Sequence, residues 1–190
     1  MNGSGFTYQW LKLSAMAWLL IGRPQQAETV FDEMLRRWPQ DGYALASRAH
    51  VRAQSARGDE AIADLRELLA AQPERSAADW FNLAYLLEEA GRYADAEDAF
   101  RRALALDPKL DRAWYGLGLV LIRLQRTDDA IAALKKNTEL QPMSPYGWYQ
   151  LARVRFERSE AEEARKIIRH LKGFEPKVAA QLERETGLVA

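Results

Sequence analysis

The sequence predicts an all-α protein assembled from a repeated pair of helices. Two columns of residues carry that prediction. Alanine recurs at Ala27, Ala61, Ala96, Ala130 and Ala164, and proline at Pro39, Pro73, Pro108, Pro142 and Pro176. Each step is about 34 residues long. A third observation gives the unit its content. In the middle copy Trp80, Leu83, Ala84 and Leu87 share one helical face, and Ala96, Phe100 and Ala103 share another. Gly91 separates the two helices. Pro108 ends the second, because it lacks an N–H and disfavours helix at Asp107 before it.

The stretch Trp80 to Pro108, WFNLAYLLEEAGRYADAEDAFRRALALDP, resembles one tetratricopeptide repeat. The family's landmarks are a Trp, then Leu and a small residue, then a later Ala, an aromatic and a Pro. Here Trp80, Leu83, Ala84, Ala96, Phe100 and Pro108 take those places and read as a buried column. The resemblance extends over five repeats, at 8–41, 42–76, 77–110, 111–144 and 145–178, with 179–190 as a C-terminal capping helix and tail. It implies a right-handed α-α superhelix, a solenoid of antiparallel helix pairs. It also implies a non-catalytic protein-protein interaction scaffold, with the first helix of each repeat lining a concave groove.

Taken in order, Met1 to Gly5 reads as a flexible start. Repeat one places Leu11, Ala15 and Trp18 on its first helix and Ala27, Phe31 and Met34 on its second, with Pro24 near the start of the latter. Its first helix is apolar off the core stripe as well, at Trp10, Leu13, Met16, Leu19 and Leu20. A helix apolar on most sides is expected to be covered on most sides. Repeat two keeps Leu45 and Ala49, but Arg48 and Arg52 occupy core columns and Gly58 arrives late. The expectation is Arg stems over the core with their heads in water, or a local distortion of the helix.

Repeat three carries Glu97 with Arg101, and Asp98 with Arg102, four apart on what reads as a solvated outer face. Repeat four matches through Trp114, Leu117, Gly118, Leu121, Ala130 and Leu134. Its turn uses Gln125-Arg126-Thr127 in place of Gly, and Asn137 replaces a small apolar residue. Repeat five keeps Trp148, Leu151, Ala152, Ala164, Ile168 and Leu171, with Arg155 in an apolar column. After Pro176, Val178 and Leu182 form the apolar stripe that a capping helix needs, and Gly187 ends it.

Composition narrows the function classes. Lys plus Arg and Asp plus Glu balance at 27 each, so no long-range field favours nucleic acid or an anionic membrane. The absence of cysteine excludes disulfides and thiol catalysis, and two histidines cannot assemble the usual zinc sets. There is no Gly-rich phosphate loop and no nucleophile elbow, so no catalytic residue and no cofactor is expected. His170, near a helix C-terminus, is where a cationic side chain suits the helix dipole. No apolar run reaches the ~20 residues of a membrane span. Ala15 to Gly22 reads as a buried repeat helix and not a cleaved signal, because Lys12 is the only basic residue before it. The cytoplasm is the default expectation. The Ala- and Arg-rich composition suggests a GC-rich bacterial source.

The expected site is therefore a surface. On the inner helices the register offers Tyr43 and His50; Phe81, Asn82 and Tyr85; Arg112 and Tyr115; and Tyr146, Tyr149, Gln150 and Arg153. Rigid rings and Arg dominate binding hot spots, and a polar-aromatic lining suits an extended or helical peptide. Some members of the family clamp a chaperone's C-terminal carboxylate with Lys, Asn and Arg on three consecutive inner helices. The matching positions here hold His50, Asn82 and Arg112, and two further basic positions are lost to Ala46 and Gly116. Two alternatives stand beside peptide binding. In one the array is the helical arm of a larger enzyme of glycosyl- or sulfotransferase type. In the other Leu13, Met16, Leu19 and Leu20 form an N-terminal apolar contact through which the chain self-assembles into a homo-oligomer.

Overall fold

The computed structural model describes residues 3–190, with side chains from residue 5 onward. Gly3 to Gly5, expected to be flexible, begin the first helix, while Met1 and Asn2 lie outside the described residues. Among the described residues the chain forms eleven α-helices and no strand. It divides into two compact units, Met1–Gly91 and Arg92–Ala190. The first holds α1 (Gly3–Leu20), α2 (Pro24–Arg37), α3 (Gly42–Gln54), α4 (Gly58–Ala71) and α5 (Ala77–Glu89). The second holds α6 (Tyr93–Leu106), α7 (Asp111–Arg123), α8 (Thr127–Leu140), α9 (Pro145–Glu157), α10 (Ala161–Lys172) and α11 (Pro176–Thr186).

The alanine column is where paired helices approach. Ala27, Ala61, Ala96, Ala130 and Ala164 are all fully buried. At Gly118, in the column of Ala84, a Cβ would stand 2.7 Å from the Leu134 side chain, so α7 and α8 cross with no room for a larger residue. In the first unit Leu11, Ala15, Ala27, Phe31, Met34, Ala44 and Val51 pack together. In the second a core runs from Leu134 and Leu151 through Ile168 and Leu171 to Leu182.

The turns repeat too. Gly22, Ala56, Gly91, Gln125 and Ser159 all have positive φ, one per helix pair. Each N–H bonds back to a carbonyl three residues earlier, and Arg23, Arg57, Arg126 and Glu160 bond back five residues, the paired bonds of a Schellman motif. The turn therefore demands a left-handed residue even where the sequence supplies Ala, Gln or Ser. Gly58, which looked like a late turn glycine, starts α4 instead, and Ala56 takes the left-handed place at φ 57°.

The proline column has a role beyond helix termination. The Trp80 indole N–H donates to the Pro73 carbonyl at 2.7 Å, Trp114 to Pro108 at 2.9 Å and Trp148 to Pro142 at 2.9 Å. Each latch holds a first helix to the loop before it. Pro108 itself is exposed and Trp80 half-buried, so neither belongs to the buried column expected for them.

Repeat two departs most from expectation. Arg48 and Arg52 do not reach into water. Arg48 donates to Asp64 at 3.0 and 2.6 Å and to Asp32 at 2.7 Å, and Arg52 donates to Asp64 at 2.9 and 3.0 Å and to Glu28 at 2.9 Å. The Asp64 side chain is only 3% exposed. This clasp ties α2, α3 and α4 together, and α3 runs undistorted through it. Glu28 also accepts from Arg57. Burial pushes the Glu28 carboxyl up, but the hydrogen bonds and charge of Arg57 and Arg52 outweigh it and hold it below the ordinary value.

Glu97 is likewise buried and not on a solvated face. It accepts from Arg101 at 2.9 Å and from Arg126 at 2.6 Å. Arg155 is mostly buried against Glu160. Asn137, also buried, donates to the Asp111 carbonyl at 2.9 Å.

The N-terminal helix reverses its expectation. Among the described side chains of α1 only Leu11 and Ala15 are buried, while Met16 to Ile21 are exposed, Trp18 included. Tyr8 is the polar tie on the covered side. Its hydroxyl donates to Asp41 at 3.1 Å, and Asp41 also caps α3 by accepting from the Ala44 N–H at 2.7 Å. At the other end α11 begins at Pro176, and its buried stripe is Ala179 and Leu182, with Val178 half-covered. Gly187 closes it in the left-handed conformation.

Candidate peptide-binding surfaces

In the first unit the inner sides of α3 and α5 enclose a cleft of about 330 Å³. Ala46, Ala49 and Ala53 make its α3 wall shallow, which is why a cleft exists at all. His50, Gln54, Asn82, Tyr85 and Glu89 supply its polar groups. The Tyr85 ring is 48% exposed, and its hydroxyl donates to Glu89 at 2.7 Å. That bond, with some burial and the nearby carboxylate charges, raises the phenol above its ordinary pKa. Tyr85 is therefore a neutral ring with an apolar face open to solvent. The Gln54 amide nitrogen lies 3.0 Å from His50 Nε2. Which of the two groups donates depends on the imidazole tautomer, so the pair offers both a donor and an acceptor. Tyr43 lies elsewhere. It meets Phe31 edge to face at 6.1 Å, and Lys12 Nζ sits 4.3 Å over its ring. Phe81 is half-buried and does not line the cleft.

In the second unit Tyr115, Tyr146, Tyr149 and Gln150 converge on a cleft of about 290 Å³, closed on one side by Val178 and Gln181 of α11. An adjoining cleft of about 320 Å³ lies between Arg153 and Phe156 of α9 and Glu185 of α11. The Tyr149 hydroxyl donates to both Glu185 carboxylate oxygens, at 2.9 and 2.7 Å, which raises the phenol and lowers the carboxyl. Arg153 lies 5.8 Å over the Tyr149 ring and 3.6 Å from Glu157. The capping helix thus does more than cover the last core. It also lines both clefts, through Val178 and Gln181 in one and Glu185 and Thr186 in the other, which the apolar stripe alone did not signal.

Arg112 is exposed on the first turn of α7 and lines none of these clefts. A side chain at Gly116 has no space, since a Cβ there would stand 2.3 Å from the Phe100 ring. His170 lies in the last turn of α10, with its ring 4.5 Å from Trp148 and 5.3 Å from Phe174. It packs at a steep angle between two aromatic rings. Among the described residues no three His, Cys, Asp or Glu come together as metal ligands. No helix among them is long and apolar enough to cross a membrane.

The sequence profile of the tetratricopeptide repeat matches at residues 15–74, 47–111, 81–137 and 115–173. The chain belongs to the tetratricopeptide repeat family. No curated protein matches it in sequence. Solved structures match it in fold as a tetratricopeptide solenoid. A crystal structure of MamA protein is 20% identical, covers 98% of each chain and superposes with a TM-score of 0.85. YrrB, described as a TPR protein with an unusual peptide-binding site, is 17% identical with a TM-score of 0.81, covering 90% of this chain and 88% of its own. PilF of Pseudomonas aeruginosa is 23% identical with a TM-score of 0.70, covering 99% and 96%. The fold is an all-α solenoid of helix pairs, and the coarse class that goes with tetratricopeptide membership is a protein-interaction scaffold, in general non-catalytic.

Proposed function

We propose that this tetratricopeptide array, five repeats over residues 8–178 with α11 as its cap, is a non-catalytic scaffold that holds a peptide against the inner sides of its first helices. The observation that carries the reading is the α3–α5 cleft, where the half-exposed Tyr85 ring stands beside Asn82 and His50 over a floor of alanines. A ring already held by Glu89 loses little freedom on binding, and the amide and imidazole offer the donors and acceptors that a peptide backbone needs. The peptide-binding site named for YrrB gives the reading a precedent on the same fold.

The cleft chemistry favours a neutral or basic peptide over an acidic tail, because the Glu89 carboxylate lines it and no Lys or Arg does. Capture of a C-terminal carboxylate would instead need Arg112, and is the lesser form of the proposal.

The test is selection of peptide ligands on the intact chain, followed by titration calorimetry with Tyr85→Ala and Arg112→Ala. Tyr85→Ala is expected to weaken binding about tenfold or more, as loss of a hot-spot ring does. Unchanged affinity in Tyr85→Ala would reject the cleft, and unchanged affinity of an acidic-tailed ligand in Arg112→Ala would reject carboxylate capture.

A further inference from the structure

Helix α1 carries a second surface, unrelated to the clefts. Phe6, Trp10, Leu13, Ala17 and Leu20 follow one another at steps of four, three, four and three. That is the 3.5-residue period of a helix that packs along another helix. All five are exposed, Phe6 at 75%, Trp10 at 59%, Leu13 at 64% and Leu20 at 88%. With Met16 and Ile21 beside them they present roughly 700 Å² of apolar surface. A lone patch of that size is unusual on a monomer, and it approaches the ~800 Å² that one partner brings to a stable interface.

The other repeats show that this face is not an ordinary repeat edge. In the register of the alanine column, Leu13 shares its place with Ser47, Asn82, Gly116 and Gln150, and Leu20 shares its place with Gln54, Glu89, Arg123 and Glu157. The positions are small or polar everywhere except in α1. Trp10 shares its place with Ala44, Asp79, Ala113 and Gly147, all buried. The place is tight: a Cβ at Gly147 would stand 2.0 Å from Asn137 Oδ1 of the preceding helix. An indole cannot occupy that space. Whatever covers α1 therefore does not repeat the array's own stacking.

We propose that α1 is a dimerisation helix, pairing antiparallel with α1 of a second copy. Charge permits it, since Lys12 is the only charged residue of α1 and is already engaged over the Tyr43 ring, off the seam. Volume selects the orientation. A parallel pair would stack Trp10 on Trp10 and leave Ala17 facing Ala17 across a gap. The antiparallel pair sets Phe6 against Ala17 of the second copy and Trp10 against Leu13, so a larger residue meets a smaller one in each of these layers, with Leu20 at the ends of the seam.

The experiment is light scattering and sedimentation of the full chain across a concentration series, with Leu13→Glu as the variant. Leu13 is exposed, so the variant keeps its fold, which circular dichroism checks. The wild type is expected to run at twice the monomer mass at high concentration. Leu13→Glu is expected to dissociate about a hundredfold more readily, because it sets carboxylates into the apolar seam. The chain has no cysteine, which allows a clean orientation test. Phe6→Cys mixed with Ala17→Cys is expected to form a disulfide-linked dimer, while neither variant cross-links alone. Cross-linking by each variant alone would overturn the antiparallel pairing. A wild type that stays monomeric at every concentration, or a Leu13→Glu chain that dimerises as well as wild type, would overturn dimerisation. A monomer that instead floats with phosphatidylcholine vesicles would overturn it in favour of a membrane surface.

Discussion

Asp64→Ala should be the most damaging single change in the first unit. The carboxylate, 3% exposed, accepts from Arg48 and Arg52 together, and those side chains are only 16% and 15% exposed. Its removal leaves Arg48 with the half-exposed Asp32 and Arg52 mainly with Glu28. Breaking a buried pair by taking one partner costs about 3–5 kcal/mol, a large part of the ~5–15 kcal/mol that holds a domain folded. The array itself supplies a compensating variant. In repeats three and four the same three columns hold Leu83, Leu87 and Ala99, and Leu117, Leu121 and Ala133. The triple change Arg48→Leu, Arg52→Leu and Asp64→Ala rebuilds that apolar arrangement. Replacing a buried ionic cluster by packed hydrophobic residues is often neutral or stabilising by about 1–4 kcal/mol. Urea unfolding followed by far-ultraviolet circular dichroism measures both. The reasoning fails if Asp64→Ala costs less than about 1 kcal/mol, or if the triple variant is no more stable than the single one.

Three further outcomes follow from the geometry. Gln125→Gly should stabilise the second unit by roughly 0.5–1 kcal/mol, since Gln125 sits at φ 61° where glycine is unstrained, and thermal unfolding reads the gain. Gly147→Ala should cost about 1–3 kcal/mol, because its Cβ would press on Asn137 Oδ1, and adding Asn137→Ala should recover part of the loss in chemical denaturation. Glu28 has a depressed folded pKa, so its contribution to stability is present above the ordinary value of 4.5 and is lost as pH falls through the lower folded value. Glu28→Gln should therefore flatten the acid limb of a stability–pH profile.

The fold was legible because its signals are periodic and short-range. The alanines mark helix crossings and are fully buried, and the Trp and Pro columns mark junctions, although the indole–carbonyl bond between them has no sequence signature. The polar clasp was not legible. Arg48 and Arg52 were visible as intruders in a core column, but their partners Asp64, Asp32 and Glu28 lie on two other helices, where a lone acid reads as a solvated charge. The turn at Ala56 was missed for a similar reason. The helix end dictates the left-handed conformation there and the residue merely tolerates it, so looking for glycine pointed to Gly58. Of the expected groove residues, His50, Asn82 and Tyr85 do meet in one cleft, and Tyr115, Tyr146, Tyr149 and Gln150 in another. Tyr43 is instead drawn to Phe31 and Lys12, because contacts across helices compete for the same rings.

The indole latches make the chain its own spectrometer. Trp80, Trp114 and Trp148 each donate to a carbonyl at a different junction. A repeat array opens junction by junction, with each contact felt mainly by its neighbours. Releasing an indole N–H into water shifts its emission to the red, so each of these three junctions reports its own opening in light. Trp10, Trp18 and Trp38 are the remaining tryptophans, and all lie in the first repeat. A chain with those three changed to Phe, and one latch retained at a time, would resolve the order in which the solenoid comes apart.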